Sequence, residues 1–445
     1  MRVKLLTLAL ALSLGSVGFA DSGKAKSSLE VLALSATSND PTESAAAIDQ
    51  LRSRGLEGLD ALLSAYAGDV QSRRASISGG EPGDRWQHIA AALDRVAAQR
   101  DAYAAGLYWY TDFDQARAAA KASAKPILSL RLLGKLDEDL SCANSRFFRI
   151  ALYSNSEISK LLREHFILHW ESVRTVPKVT IDFGDGRKLE RTLTGNSIHY
   201  VLDADGRPIC ALPGLYGPTA FLREIERAEQ LAGSLRGAAS DRDREAFLRL
   251  YHQRRLQELA ANWEADLKAA GVTAPLQRNL IQNVAQDKPP TAEGAAPRAV
   301  SKMVVERPIL RGISPKRSAL ETSSEDLEWA KIARLYAQDA RLDNQSLTLM
   351  RNKNPGAYGG ADSSGAFQRA RINLERAIAE DTARNKYTFE TTLHLWFVAG
   401  LMTKDLHALN EKVYAELFLT PSTDPWLGLF PVDSYTGIEN EGVRR

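Results

Sequence analysis

The residue best placed to do chemistry in this 445-residue chain is Cys142, in the run Leu140-Ser141-Cys142-Ala143-Asn144-Ser145-Arg146-Phe147-Phe148. The polar stretch from Gly134 to Ser141 reads as a loop and the residues after Cys142 as a helix. The thiol therefore falls at a loop-to-helix junction, where the positive end of the helix dipole and free backbone N–H groups favour thiolate and nucleophilic reactivity. A thiolate in that position can attack a partner disulfide and form a mixed disulfide. The other cysteine, Cys210, lies in mid-strand. A bridge needs Cα atoms within about 7 Å, and a mid-strand residue is usually farther than that from a helix-end site, so two free thiols are expected.

The remaining chemistry-bearing patterns lead elsewhere. Of the seven histidines, only His165 and His169 stand at a metal-ligand spacing, and no Cys-x-x-Cys pair accompanies them. That pair runs into a strand, where four residues span roughly 13 Å and do not converge on one ion, so neither a metal nor a cofactor is expected. His169 and His199 read as hydrogen-bonded sheet histidines. Asp182-Phe183-Gly184 sits in a hairpin without the glycine-rich and catalytic loops that give such a triplet meaning. The glycine-rich stretch 354–365 lacks Gly-Lys-Ser/Thr and reads as a mobile loop. The segment from Thr420 to Leu429, with Pro421, Pro425 and Trp426, reads as a turn folded onto its own domain.

The elements that must position Cys142 follow from periodicity and punctuation. Asp112 opens a helix to Ser123, and strand candidates run Ile127–Leu133 and Phe166–Val173, with helical segments between them. Residues 177–194 form a hairpin around Asp185-Gly186. Strands Ile198–Leu202 and Pro208–Leu212 follow, joined by the Asp205-Gly206 turn, and a helix begins at Pro218. Without the hairpin the order is β-α-β then β-β-α, which predicts a mixed sheet with helices on both faces.

In this order, and in Cys142-Ala143-Asn144-Ser145 after the first core strand, the segment resembles the thioredoxin-like superfamily, of the exported bacterial type with a Cys-x-x-Ser motif. The run Gly195-Asn196-Ser197-Ile198-His199-Tyr200-Val201-Leu202-Asp203-Ala204-Asp205-Gly206 is similar to the family's third strand and the tight turn beyond it. The resemblance implies an α/β thioredoxin-like domain over 105–234, with 177–194 as an inserted hairpin. It also implies Cys142 as nucleophile, Ser145 offering a hydroxyl to the sulfur, Arg146 as an electrostatic helper, and Ser197, or a neighbour, where the family places a cis-proline. Ser145 in place of a second cysteine excludes a dithiol cycle within the motif. Asp137, Glu138 and Asp139 on the approach loop would oppose a thiolate.

Flanking this domain, 28–104 reads as a helical N-terminal region and 240–286 as a long helical segment. Residues 287–318, with five prolines, read as a linker that cannot pack regularly, and 319–445 as a helical C-terminal domain. Arg2 and Lys4, an apolar run from Leu5 to Leu14, and small residues Gly18 and Ala20 predict a signal peptide over 1–20, with export after cleavage near Ala20. Without Arg2 and Lys4 the 57 basic residues match the 55 acidic ones, so no nucleic-acid partner is implied. No later apolar stretch has spanning length, so no membrane span is expected in the mature chain. Two functions fit: monothiol exchange with proteins carrying disulfides, and a non-catalytic thioredoxin-like binding or scaffold protein.

Overall fold

Every residue of the strand Ile127–Leu133 is buried, so it needs cover on both faces and must lie inside the sheet. The computed structural model of the protein, which describes residues 22–76, 83–276, 290–313, 320–358, 364–401, 405–430 and 437–438, places it at the centre of five strands. The expected signal peptide, and residues 287–289 and 314–318 of the expected linker, lie outside the described residues.

The N-terminal region is helical: α1 (Ser22–Ser35), α2 (Pro41–Ser53), α3 (Leu56–Ala65), α4 (Ala67–Ala75), α5 (Asp84–Ala97) and the single turn α6 (Ala102–Ala105). Asp40 starts α2 by accepting from the Thr42 and Glu43 N–H groups, which satisfies donors the helix cannot. These helices bury their own core around Leu51, Leu59, Leu62 and Leu93.

The α/β part runs β1 (Trp109–Tyr110), α7 (Phe113–Ser123), β2 (Ile127–Leu133), α8 (Ala143–Phe147), a π-helical turn (Phe148–Tyr153), α9 (Ser156–His165) and β3 (Ile167–Arg174). The hairpin β4 (Lys178–Asp182) and β5 (Lys188–Thr192) is a separate two-stranded sheet, and β6 (Ile198–Leu202), β7 (Pro208–Pro213) and α10 (Pro218–Leu235) complete the layer. The strand order is β1-β3-β2-β6-β7. Strands β1, β3 and β2 are parallel, while β6 is antiparallel to β2 and β7 to β6. The sheet is therefore mixed, and helices cover both of its faces. On one face Phe113 of α7 meets His169; on the other, Phe148 and Phe221 of α10 meet His199.

The remainder comprises α11 (Asp241–Ala270), α12 (Ala292–Ala295), α13 (Val300–Ile313), α14 (Ser324–Ala333), α15 (Asn344–Asn352), α16 (Pro355–Tyr358), α17 (Ser364–Asn385), a π turn (Lys386–Glu390), α18 (Thr391–Val398), α19 (Leu406–Lys412) and a second π turn (Val413–Leu417). Two expectations change here. The segment expected to be an unpacked linker contains α12 and α13, whose Met303 and Leu310 are buried against Leu193. Proline permits this because Pro297 lies in the first positions of a 3-10 turn, where no N–H is required. Pro308, inside α13, frees the carbonyl of Val304, a residue 56% exposed, so water can serve it. Secondly, the C-terminal helices are not a separate body. Trp329, Ile378, Tyr387, Leu393 and Tyr414 share one apolar core with Leu130, Tyr200 and Ile225.

Gly217 lies at that junction. Its N–H donates to Thr382 Oγ1 at 2.7 Å, and a Cβ there would stand 2.3 Å from the Asp339 carbonyl oxygen. Backbone cannot yield as a flexible side-chain tip does. Gly217→Ala is expected to lower stability by about 3 kcal/mol, read as a shift of the urea midpoint with an unchanged slope.

Candidate thiol site

Strand β2 delivers the chain to Gly134, whose positive φ of 75° turns it away. The loop closes when Cys142 N–H donates to Leu133 O at 3.1 Å. Cys142 is the N-cap residue of α8, with φ −59° and ψ 154°, but its side chain caps no N–H group. Helix α8 has five residues and continues directly into the π turn. The sulfur engages hydroxyls instead: Sγ is 3.4 Å from Ser145 Oγ and 3.1 Å from Ser197 Oγ. Ser145 Oγ also lies 2.8 Å from both Ser141 Oγ and the Cys142 carbonyl oxygen. Its single proton can serve only one of these at a time, so Ser145 is free to accept from the thiol.

Of the residues singled out from sequence, Cys142, Ser145 and Ser197 thus meet at one sulfur. Arg146 takes another direction. Its Nη2 donates to Thr192 Oγ1 at 3.1 Å, and that hydroxyl donates to Ser141 O. Burial lowers the Arg146 pKa, while Cys142 and Glu306 partly offset that effect; a guanidinium stays charged throughout. The acidic approach loop also differs from expectation. Asp139 is paired with Lys353 at 2.7 Å and Arg100 at 3.2 Å, and Glu138 with Lys135, so their charges are neutralised locally. Burial pushes the Asp139 carboxyl up, but the Lys353 hydrogen bond and charge bring it below its ordinary value.

Residues that sequence reasoning did not single out close the site. Thr194 and Gly195, at φ 58° and 81°, lead into Ser197, and a Cβ on Gly195 would stand 3.2 Å from Cys142 Cβ. Thr194 N–H donates to Glu306 Oε2 of α13 at 3.0 Å. Lys302 Nζ stands 3.8 Å from that oxygen, and both side chains are almost fully buried. Glu306 Oε1 has no hydrogen-bond partner. Burial pushes the Glu306 carboxyl up to about 7 against the pull of Lys302, the Thr194 N–H and Arg146. From the other side Tyr414 Oη donates to Asn196 O at 2.8 Å, and Asn144 Nδ2 donates to Asn196 Oδ1. Cys142 is consequently 0% exposed. The one sequence trace of this cover is Lys302 and Glu306 at i, i+4 spacing beside apolar Met303.

Cys210, on β7, is free and buried; burial first, then Glu390 and Glu224, push its thiol up to about 12. His169 Nδ1 is 2.9 Å from Ser129 Oγ, and His199 Nε2 is 2.6 Å from Tyr153 Oη. His165 pairs with Glu229 at 2.7 Å. Among the described residues no group of three or more His, Cys, Asp or Glu is arranged to hold a metal. Asp182-Phe183-Gly184 is exposed at the tip of the hairpin. The Thr420–Leu429 segment docks on β3, where Arg174 donates to the carbonyls of Thr420, Pro421 and Asp424.

The fold and site define an α/β protein with a five-stranded mixed sheet, helical flanks and an enclosed thiol. Compared with protein-family models, curated proteins and solved structures, the chain matches none.

His199, one register step from the site, gives a test of the interior. Burial lowers its pKa to about 3, against roughly 6.5 in an unfolded chain. The unfolded state therefore binds the extra proton between those values. The stabilising contribution of the neutral ring is complete above pH 6.5 and is lost as pH falls towards 3. The His199 Hε1 resonance is expected to stay at its neutral position from pH 8 to pH 5. A titration midpoint near 6.5 in the folded protein would contradict this environment.

Proposed function

We propose that the chain is an exported thioredoxin-like protein in which the Cys-x-x-Ser face is the seat of internal binding, so that the domain acts as a scaffold and not as a redox catalyst. The single observation carrying this reading is the zero exposure of Cys142 beneath two of the chain's own segments, α13 through Glu306 and the C-terminal π turn through Tyr414. Exchange needs a sulfur of the partner in line with the attacking thiolate, and in this arrangement that approach is filled by protein. The strand order, with the hairpin set aside, supports the thioredoxin-like assignment.

A second reading, monothiol exchange with proteins carrying disulfides, is favoured by the two hydroxyls at Cys142 Sγ, which can donate to a thiolate. It requires an open state. There, Cys142 thiolate would attack one sulfur of a partner disulfide and expel the other as thiolate. Lacking an adjacent resolving cysteine, the mixed disulfide would persist until a further thiol attacked it.

Labelling separates the two. In the Cys210→Ala background, alkylation of Cys142 by iodoacetamide in native buffer is expected to be at least about 10³-fold slower than in denaturant, as for a thiol that reacts only through an opening of about 4 kcal/mol. Native labelling at the rate of a free thiol, or ready capture of a small-molecule disulfide, would overturn the scaffold reading in favour of exchange. Export has its own measurement. The secreted product is expected to begin at or next to Asp21, and an intact Met1 on extracellular material would refute cleavage there.

A further inference from the structure

Residues of α10, α11, α17 and the π turn Lys386–Glu390 line a cavity of about 160 Å³. Tyr216, Arg255 and Glu390, all buried, line it together with Arg223 and Asn262. Both terminal nitrogens of the Arg255 guanidinium are engaged by carboxylates. Nη1 donates to Glu258 at 2.7 Å, and Nη2 donates to Glu224 at 2.9 Å and Glu390 at 2.8 Å. One guanidinium is thus shared among three carboxylates, of which Glu224 and Glu390 belong to the lining.

What remains uncommitted is a set of donors. Arg255 Nε has no partner, and neither has the hydroxyl of Tyr216, a residue 1% exposed. Lys386 Nζ uses one N–H on Tyr336 Oη at 2.8 Å. That hydroxyl is fixed in turn, because it donates to Asp266 Oδ2 at 2.5 Å. An ammonium has three N–H groups, so Lys386 keeps donors to spare. Burial lowers its pKa, as expected of a cation without a carboxylate in direct contact.

Buried donors without acceptors are costly and rare. Two of them, Arg255 Nε and the Tyr216 hydroxyl, belong to residues lining one cavity, and Lys386 adds spare N–H groups there, so the missing partner is an acceptor. Arg223 and Arg227 in the wall are already paired with Asp339 and Glu224, and it is the Lys386 ammonium that makes a negative acceptor fit best. A metal cation would meet guanidinium and ammonium groups and is disfavoured. The volume is well below that of a pocket for a drug-sized ligand and suits a few heavy atoms.

We infer that this cavity is a binding site for a small oxyanion, a carboxylate or a phosphate, held by Lys386, Tyr216 and Arg255 Nε. The site stands apart from the thiol and does not depend on whether Cys142 reacts.

The full chain titrated separately with inorganic phosphate and with acetate, against sodium chloride at matched ionic strength, tests the inference by thermal shift and calorimetry. At least one oxyanion is expected to raise Tm saturably, with a Kd below about 1 mM, and the stronger of the two assigns the class. Tyr216→Phe is the discriminating variant. Without ligand it should melt at or above the wild-type temperature, since it removes a buried hydroxyl that lacks a partner, yet it should bind at least about tenfold more weakly. Lys386→Met should weaken binding by a similar or larger factor. If neither anion differs from chloride, the cavity holds only water and the inference fails. It fails equally if both variants bind as the wild type does.

Discussion

Thr194 and Gly195 take two consecutive left-handed backbone conformations, and the enclosure of Cys142 follows from that turn. Glycine accepts the conformation freely. A β-branched threonine does not, at a cost of roughly 1–2 kcal/mol. The turn persists because its surroundings over-determine it: the Thr194 N–H is spent on Glu306, and Gly195 must lie flat on Leu133 and Cys142, where a Cβ would crowd both. This close approach brings Ser197 Oγ to the sulfur. The helix that supplies Glu306 is consequently part of the site, and α13 is held at its own start by Asp381, which accepts from the Val300 and Ser301 N–H groups.

Much of the α/β layer was legible because its signals are local. The run Ile127–Leu133 is apolar at both faces except for Ser129 and Arg131, and the structure gives those bounds. The hairpin announced itself through Asp185-Gly186 and lies in register from Lys178 opposite Thr192 to Asp182 opposite Lys188. The junction holding Cys142 and Ser145 was readable for the same reason, since a loop-to-helix change needs only a few residues to specify. What was not legible arrives from far along the chain. Glu306 and Lys302 come more than 100 residues after Ser197, in a stretch whose prolines argue against regular structure. Composition alone cannot show that Pro297 and Pro308 each fall where a missing N–H is harmless. Nor could the pattern show that the C-terminal helices would share the sheet's core, because nothing local in a helix marks which core its apolar residues will join.

Two unpaired cysteines are a liability in the exported setting proposed above, where oxidants are plentiful. Both thiols are buried, and for Cys210 the neighbouring carboxylates of Glu390 and Glu224 add to burial in suppressing thiolate. Since thiolate is the species that oxidises and exchanges, that environment protects the strand as it stands. Cys142 is protected by exclusion, through the packing of α13 and Tyr414. The cover over Cys142 and the local charge around Cys210 thus serve one end by different physics.

The second buried polar centre shows how far the same logic extends. His252 Nε2 lies 3.1 Å from Ile209 O, which can only accept, so this nitrogen carries the proton. Burial first and the neighbouring His394 second keep His252 neutral, which leaves its Nδ1 as an acceptor. The 2.7 Å contact between the two Nδ1 atoms therefore requires His394 to donate. His394 is also held neutral by burial, so its Nε2 is a bare lone pair, 3.4 Å from Glu390 Oε1. Two acceptors face each other there, and the arrangement is tolerable because Arg255 donates to that same carboxylate oxygen and draws its charge away. Arg255 thus supports the histidine pair through Glu390 on one side and lines the cavity on the other. Both of its Nη nitrogens face carboxylates, which leaves Nε as the guanidinium nitrogen without a partner.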